Sequence, residues 1–171
     1  MKVHIALGSN LQRHAARAAA CTALRRIDAN EHVEVHAVSR AYESEPWGVT
    51  EQPPFANAVA VVETTMRADQ LLGMLKDIER EMGRVESERN APRVIDLDIL
   101  LAGDEEWTTD ELEIPHPRML ERDFVVTPLL EVDPEACLPD GSPVPRDGAT
   151  LGRVTATLGS QLDQTSGALT D

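Results

Sequence analysis

The sequence has few aromatic residues, few cysteines and few basic residues. Phe, Tyr and Trp make up 3% of its 171 residues, so the core is expected to be mostly aliphatic. The two cysteines, Cys21 and Cys137, lie in neither a C-x-x-C motif nor a Cys/His cluster, which excludes a zinc signature. We expect both to be reduced thiols, as is usual in cytosolic proteins.

The shortage of basic residues restricts the partners that the chain can bind. Lys and Arg number 16 against 30 Asp and Glu, a formal net charge of -14. This balance argues against nucleic acids and anionic membranes, because both are bound through basic surfaces. There is no apolar run of about 18 residues, and the first apolar stretch turns polar by Ser9. We therefore expect a cytoplasmic protein without a membrane span or secretory leader.

Composition and length favour one folded domain. The hydrophobic share of 42% is ordinary for a globular chain and excludes charge-driven disorder. We expect a monomer in which residues 1–159 form a single domain and residues 160–171 a flexible tail.

Hydrophobic periodicity predicts an alternation of strands and helices. Strands are expected at 3–7, 33–42, 55–63 and 94–101, helices at 11–28, 68–83 and 123–131, a hairpin over 102–114 and a weak helix at 151–158. The order β-α-β-β-α-β is typical of a ferredoxin-like core. We therefore predict an α+β fold in which an antiparallel sheet carries helices on both faces, in three α/β/α layers.

The sharpest chemical motif is Asp96-Leu97-Asp98, within an otherwise apolar strand. Residues i and i+2 of a strand share a face, so the two carboxylates lie side by side and repel each other unless a cation joins them. Mg²⁺ typically takes one or two carboxylates together with substrate phosphates. The alternative interpretation is an exposed strand face with two solvated aspartates.

Basic residues cluster just before this motif. Arg84, Arg89 and Arg93 lie in one predicted loop, and guanidinium groups bind phosphate bidentately. Glu86 and Glu88 in the same loop offer them an alternative as ion-pair partners.

Further polar and aromatic residues suggest a place for a planar substrate. His116 is held between two prolines, and Arg122 follows it. Such side chains can donate to a phosphate or a leaving oxygen, although a lone histidine is more often structural. Candidate residues for a flat slot are Trp47, Phe55, Asn57 and Phe124, with core packing of the rings as the alternative.

The usual nucleotide-binding motifs are absent. There is no G-x-x-x-x-G-K-[ST], no G-x-G-x-x-G and no protein-kinase signature. The residues by themselves thus favour metal-assisted phosphoryl transfer to a small planar substrate.

Several motifs in order make the chain resemble the 6-hydroxymethyl-7,8-dihydropterin pyrophosphokinase family. The resemblance extends from the N-terminus to about Pro139. The motifs are Ala-Leu-Gly-Ser-Asn at 6–10, Glu-Pro-Trp-Gly at 45–48, Gln-Pro-Pro-Phe-Ala-Asn at 52–57, Gly-Arg at 83–84, Ala-Pro-Arg-Val-Ile-Asp-Leu-Asp-Ile-Leu at 91–100, Ile-Pro-His-Pro at 114–117, Pro-Leu-Leu-Glu at 128–131 and Leu-Pro-Asp-Gly at 138–141.

The resemblance implies transfer of pyrophosphate from ATP to a pterin in folate biosynthesis, with release of AMP. It implies two Mg²⁺ ions on Asp96 and Asp98. The implied catalytic residues are Arg84, Arg93, Asp96, Asp98, His116 and Arg122. The implied ATP contacts are Glu79, Arg84, Arg89, Arg93, His116 and Arg122. The implied pterin contacts are Ser44, Trp47, Gly48, Phe55, Asn57 and Phe124.

Acidic residues depart from the family pattern and leave alternatives open. Glu86 and Glu88 lie in the arginine loop, and Glu111 and Glu113 precede His116, where they are expected to weaken ATP binding by repulsion. The alternatives are a weakly active or inactive pterin-binding paralogue, another Mg²⁺-dependent phosphoryl or nucleotidyl transferase, and a ferredoxin-like regulatory module.

Overall fold

The protein is an α+β structure, described here from a computed structural model over residues 1–11, 13–45, 55–83 and 94–161. Within these ranges strands and helices alternate and then give way to a hairpin, a helix and a final strand. In chain order the elements are β1 (Lys2–Ser9), α1 (Arg13–Asp28), β2 (Val33–Val38), β3 (Arg40–Ser44), β4 (Phe55–Thr64), α2 (Ala68–Glu81), β5 (Asp96–Ala102), β6 (Trp107–Thr108), β7 (Glu113–Ile114), a 3-10 helix (Met119–Glu121), α3 (Asp123–Val132) and β8 (Val154–Gln161).

The main sheet is antiparallel. Its strand order is β5-β1-β4-β3-β8, and β2 also pairs with β4. β1 therefore lies between β5 and β4, which brings together the two segments that carry the carboxylate pair and Asn57. β6 and β7 form the predicted hairpin beside this sheet.

Both faces of the sheet are covered by helices. Ile5 on β1 belongs to a buried cluster that includes Leu24 of α1 and Leu75 of α2. Val59 on β4 belongs to a second cluster that includes Leu129 of α3. Alternate strand residues point to opposite faces, so α1 and α2 cover one face and α3 covers the other.

The second helix matches its sequence pattern closely. Leu71, Leu75 and Ile78 form one buried stripe. The helix begins after Arg67, whose backbone N–H donates to Gln70 Oε1 at 3.1 Å. It ends before Gly83, whose φ of 99° is a conformation that glycine adopts without strain.

The strand predicted over 33–42 is divided at Ser39. The Ser39 hydroxyl accepts the Val59 N–H at 2.9 Å and donates to the Arg40 carbonyl at 2.7 Å. The side chain thus takes part in the pairing with β4 and interrupts the regular ladder, so β2 and β3 are separate strands.

The helix predicted over 151–158 is wrong: the chain forms β8 there. Gly152 has a φ of 58°, which breaks a helix at its start. From Val154 to Thr157 the residues alternate between half-buried and exposed, the period of a strand. β8 includes Ser160 and Gln161, within the predicted tail, and residues 162–171 lie outside the described part.

Within the described ranges, no helix combines the length and the apolarity that crossing a membrane requires.

A buried histidine joins β1 to the end of α3. His4, 4% exposed, donates from Nε2 to Asp133 Oδ2 at 2.8 Å, and Lys2 Nζ lies 2.8 Å from the same oxygen. Among the described residues no donor reaches His4 Nδ1. Burial, with a contribution from Lys2, lowers the pKa of His4 although Asp133 opposes the shift.

We expect stability to fall with pH below 6.5, because His4 takes a proton in the unfolded chain before it does so in the folded one. His4→Gln keeps a donor for Asp133 but does not titrate. The free energy of unfolding in urea should therefore fall less between pH 7 and pH 5.5 in this variant than in the unchanged protein, by about 1 kcal/mol. His36→Gln, at an exposed position, is the control, and equal losses in all three proteins would contradict the prediction.

Candidate active site

The two aspartates lie on the α3 side of the sheet. Leu97 and Ile99 point into the cluster beneath α1 and α2, so Asp96 and Asp98 point to the other face, and both are half-buried. In the part of the chain that is described, no group of three or more His, Cys, Asp or Glu is placed to hold a metal ion. The donor set is two carboxylates, which suits Mg²⁺ because that ion keeps waters and substrate phosphates as its other ligands.

A row of residues across three strands connects the carboxylates to Asn57. Gly8 on β1 pairs with Asp96 on one side and with Asn57 on the other. Residues directly opposite each other share a face, and two strand spacings amount to about 10 Å. Because Gly8 has no side chain, it places no atoms between the carboxylate and the amide. In the sequence this glycine was notable only as part of the Ala-Leu-Gly-Ser-Asn motif at 6–10.

Asn57 is held in a fixed orientation. Its Nδ2 donates to Ser44 Oγ at 2.9 Å, and both residues are almost completely buried. Its Oδ1 lies 3.6 Å from where a Cβ on Gly8 would stand, so it is directed toward Gly8. Ser44 therefore orients the amide that sequence analysis assigned to a planar substrate.

His116 has a fixed tautomer. Its backbone N–H donates to the Leu100 carbonyl at 2.9 Å, which attaches it to β5 just beyond Asp98. Its Nδ1 accepts the Arg118 N–H at 3.2 Å, so the proton of the neutral ring is on Nε2. Burial lowers the pKa of His116, although the nearby charge of Asp98 opposes this shift. The lowered pKa favours the neutral ring at pH 7.

Arg122 completes a cluster with Asp98 and His116. It directly precedes α3, and its guanidinium lies 5.6 Å from the centre of the Phe124 ring. Burial and Arg118 lower its pKa, whereas Asp98 and Glu121 raise it. Three residues predicted for phosphate chemistry therefore interact electrostatically at one place.

Glu79 lies inside the protein, behind the aspartate pair. It is 1% exposed, and its Oε1 accepts the backbone N–H of Leu97 at 2.7 Å. Lys76 Nζ lies 3.3 Å from the other oxygen. The predicted contact of Glu79 with the nucleotide remains a prediction. The structure shows that Glu79 is hydrogen-bonded to the peptide group that joins Asp96 to Leu97.

Removal of this acceptor should disturb the aspartates. We expect Glu79→Ala to lower the free energy of unfolding by about 1–3 kcal/mol, since the buried Leu97 N–H loses its partner. The Mg²⁺ concentration for half-maximal activity should rise as well. Glu79→Gln retains an acceptor and should be milder, and Glu81→Ala, an exposed residue of the same helix, is the control. Unchanged stability with a raised KM for ATP alone would instead favour direct nucleotide contact.

Five predicted site residues lie outside the described part of the chain. They are Trp47, Gly48, Arg84, Arg89 and Arg93. The residues that flank the arginine segment are described, and a Cβ on Gly83 would lie 3.9 Å from Val94 Cγ2. Gly83 is therefore close to Val94, which lies two residues before Asp96. Phe55, at the start of β4, and Phe124, at the start of α3, are both half-buried.

Comparison with known proteins identifies relatives over most of the chain. Residues 4–134 match the family model described as 7,8-dihydro-6-hydroxymethylpterin-pyrophosphokinase. The 2-amino-4-hydroxy-6-hydroxymethyldihydropteridine pyrophosphokinase of Pseudomonas aeruginosa is 41% identical over 145 residues, which cover 84% of this chain and 88% of that relative.

Two further relatives carry the same name. The Haemophilus influenzae protein is 41% identical over 142 residues, 80% of this chain and 84% of its own. The Bacillus subtilis protein is 40% identical over 129 residues, 75% of this chain and 76% of its own. With the carboxylate pair, Asn57, His116 and Arg122 on one face of the sheet, these matches show that the chain belongs to the 7,8-dihydro-6-hydroxymethylpterin-pyrophosphokinase family.

Proposed function

We infer that the chain transfers a pyrophosphoryl group from ATP to the hydroxymethyl oxygen of 6-hydroxymethyl-7,8-dihydropterin, a step of folate synthesis. The oxygen attacks the β-phosphorus, the bond from that phosphorus to the α,β-bridging oxygen breaks, AMP leaves, and the hydroxyl proton passes to solvent. One observation carries this inference: Asp96, Gly8 and Asn57 form one row, with the backbones of Asp96 and Asn57 about 10 Å apart on either side of a glycine.

Asp96 and Asp98 would hold Mg²⁺, with two ions expected. Bound Mg²⁺ supplies positive charge that orients the triphosphate and stabilises the attacking and leaving oxygens. The half-buried carboxylates on one face of β5 support this assignment. The bond from the Leu97 N–H to Glu79 keeps the peptide unit between them in place.

His116 and Arg122 would stabilise the transferred group. Nδ1 of His116 accepts the Arg118 N–H, so the proton of the neutral ring is on Nε2 and Nε2 is the donor. Donors aimed at developing negative charge typically contribute the largest share of catalysis in such reactions. Arg84, Arg89 and Arg93 are proposed to bind the phosphates as well, since Gly83 and Val94, which flank their segment, lie close to each other and Val94 is two residues before Asp96.

The pterin would lie beside Asn57. Its amide oxygen can accept a hydrogen bond from a ring edge, because Nδ2 donates to Ser44 Oγ and to the Phe55 carbonyl and so fixes the orientation. The aromatic residues supply flat apolar surface for a planar ring. The full proposed set is Ser44, Trp47, Gly48, Phe55, Asn57 and Phe124.

The sheet order and the helices on both faces support a three-layer ferredoxin-like core. We propose a single domain over residues 1–159 that acts as a monomer in the cytoplasm.

Glu113 is expected to weaken ATP binding. It lies on the exposed side of β7, and its charge acts on His116. We expect Glu113→Gln to lower the KM for ATP by about two- to fourfold, because one repulsive charge is removed. Glu106→Gln, an exposed acid of the same hairpin region, is the control. A KM equal to that of the control would contradict this expectation.

Product analysis tests the proposed reaction. The protein is incubated with ATP, Mg²⁺ and 6-hydroxymethyl-7,8-dihydropterin, and nucleotides are separated by ion exchange. The expected result is AMP and pterin pyrophosphate in equal amounts. ADP as the product would indicate a different phosphotransferase, and pterin binding without turnover would indicate an inactive paralogue.

A further inference from the structure

The segment before β8 folds back onto the start of α3, although it lies beyond the residues that the family model matches. The N–H groups of Thr150 and Leu151 donate to the Glu121 carbonyl at 3.1 and 3.0 Å. In return, the Asp123 N–H donates to the Leu151 carbonyl at 3.0 Å. The Asp123 side chain then accepts the Val154 N–H at 2.8 Å. Residues 150–154 are thus bonded to both sides of Arg122.

Within this segment Gly152 is in direct contact with Phe124. Gly152 is buried and has a φ of 58°. A Cβ at this position would lie 2.5 Å from Cδ1 and 2.7 Å from Cε1 of the Phe124 ring. Such distances are far below van der Waals contact, so any side chain at 152 forces the ring to move.

The same segment also pairs with the strand that carries Ser44, another residue of the proposed pterin slot. Val154 pairs with Ser44 on β3, and the Glu45 N–H donates to the Arg153 carbonyl at 3.1 Å. Ser44 in turn orients Asn57. One short segment therefore contacts Phe124 and is paired with the strand that supports the amide.

We propose that Gly152 is a positioning residue for pterin binding: by packing without a side chain against Phe124, it sets the place of the ring that the pterin contacts. This inference rests on the proposed function, because it takes Phe124 as part of the pterin slot. Residues 150–154 then form part of the pterin-binding site.

Gly152→Ala is the test, and Gly148→Ala is its matched control. Gly148 also has a positive φ, 109°, but a Cβ there would meet nothing within 4 Å. Gly148→Ala therefore introduces backbone strain but no contact with the Phe124 ring. We expect Gly152→Ala to raise the KM for the pterin about tenfold and to leave the KM for ATP within about twofold. Gly148→Ala should leave both nearly unchanged.

A second measurement tests the contact itself. The free energy of unfolding is compared for Gly152→Ala in the unchanged chain and in Phe124→Ala, as a double-mutant cycle. The loss should shrink when the ring is absent. Equal losses in both backgrounds, or a pterin KM like that of Gly148→Ala, would overturn the proposal. Failure of the unchanged protein to make AMP would overturn the proposed function, and this inference with it.

Discussion

Asp98→Ala should lower kcat by at least about a thousandfold, because the cation that neutralises the triphosphate loses a ligand while the transition state gains negative charge. Asp98 lies beside Ala6 of β1, on the face shared with His116 and Arg122. Pterin affinity should change little, since Asn57 is on a different strand. Steady-state kinetics and pterin fluorescence titration measure the two effects separately.

Two variants serve as controls for this result. Asp110→Ala removes the same charge from an exposed turn and should keep the activity. Asp98→Asn preserves the shape of the side chain and should be as inactive as the alanine variant. If Asp98→Ala unfolds while Asp98→Asn keeps full turnover, the carboxylate is structural and the metal assignment is wrong.

His116→Ala is expected to have the second largest effect, a loss of about 10²–10³ in kcat with a small change in the KM for the pterin. The fixed tautomer is the reason, because Nε2 already carries the proton and the ring need not change tautomer to donate it. His36→Ala, at an exposed histidine of β2, is the control. If His116 had only a structural role, His116→Ala would lose stability and activity together, and lowering the temperature would restore the activity.

Much of the fold follows from local patterns. The stripe Leu71, Leu75 and Ile78 predicted α2, and the positive φ of Gly83 agrees with the predicted end of that helix. The pattern failed at 151–158, because Val154, Ala156 and Thr157 pair with β3, a strand more than a hundred residues earlier in the chain. Long-range pairing of this kind has no local signal.

The chemistry of the site was easier to predict than its supports. Asp96 and Asp98 are recognisable by spacing alone, since a strand places them together. The bond of Glu79 to the Leu97 N–H joins a helix to a strand, and the contact of Gly152 with Phe124 joins two distant segments. Only the three-dimensional pairing brings these residues together, so periodicity and spacing could not predict them.

The most direct test of the central claim is a crystal structure with Mg²⁺, an α,β-methylene analogue of ATP and the pterin. We expect Mg²⁺ about 2.0–2.1 Å from oxygens of Asp96 and Asp98. We also expect the pterin edge to be hydrogen-bonded to Asn57, on the same face of the sheet. A triphosphate away from these carboxylates, or a pterin on the face covered by α1 and α2, would contradict the proposed site.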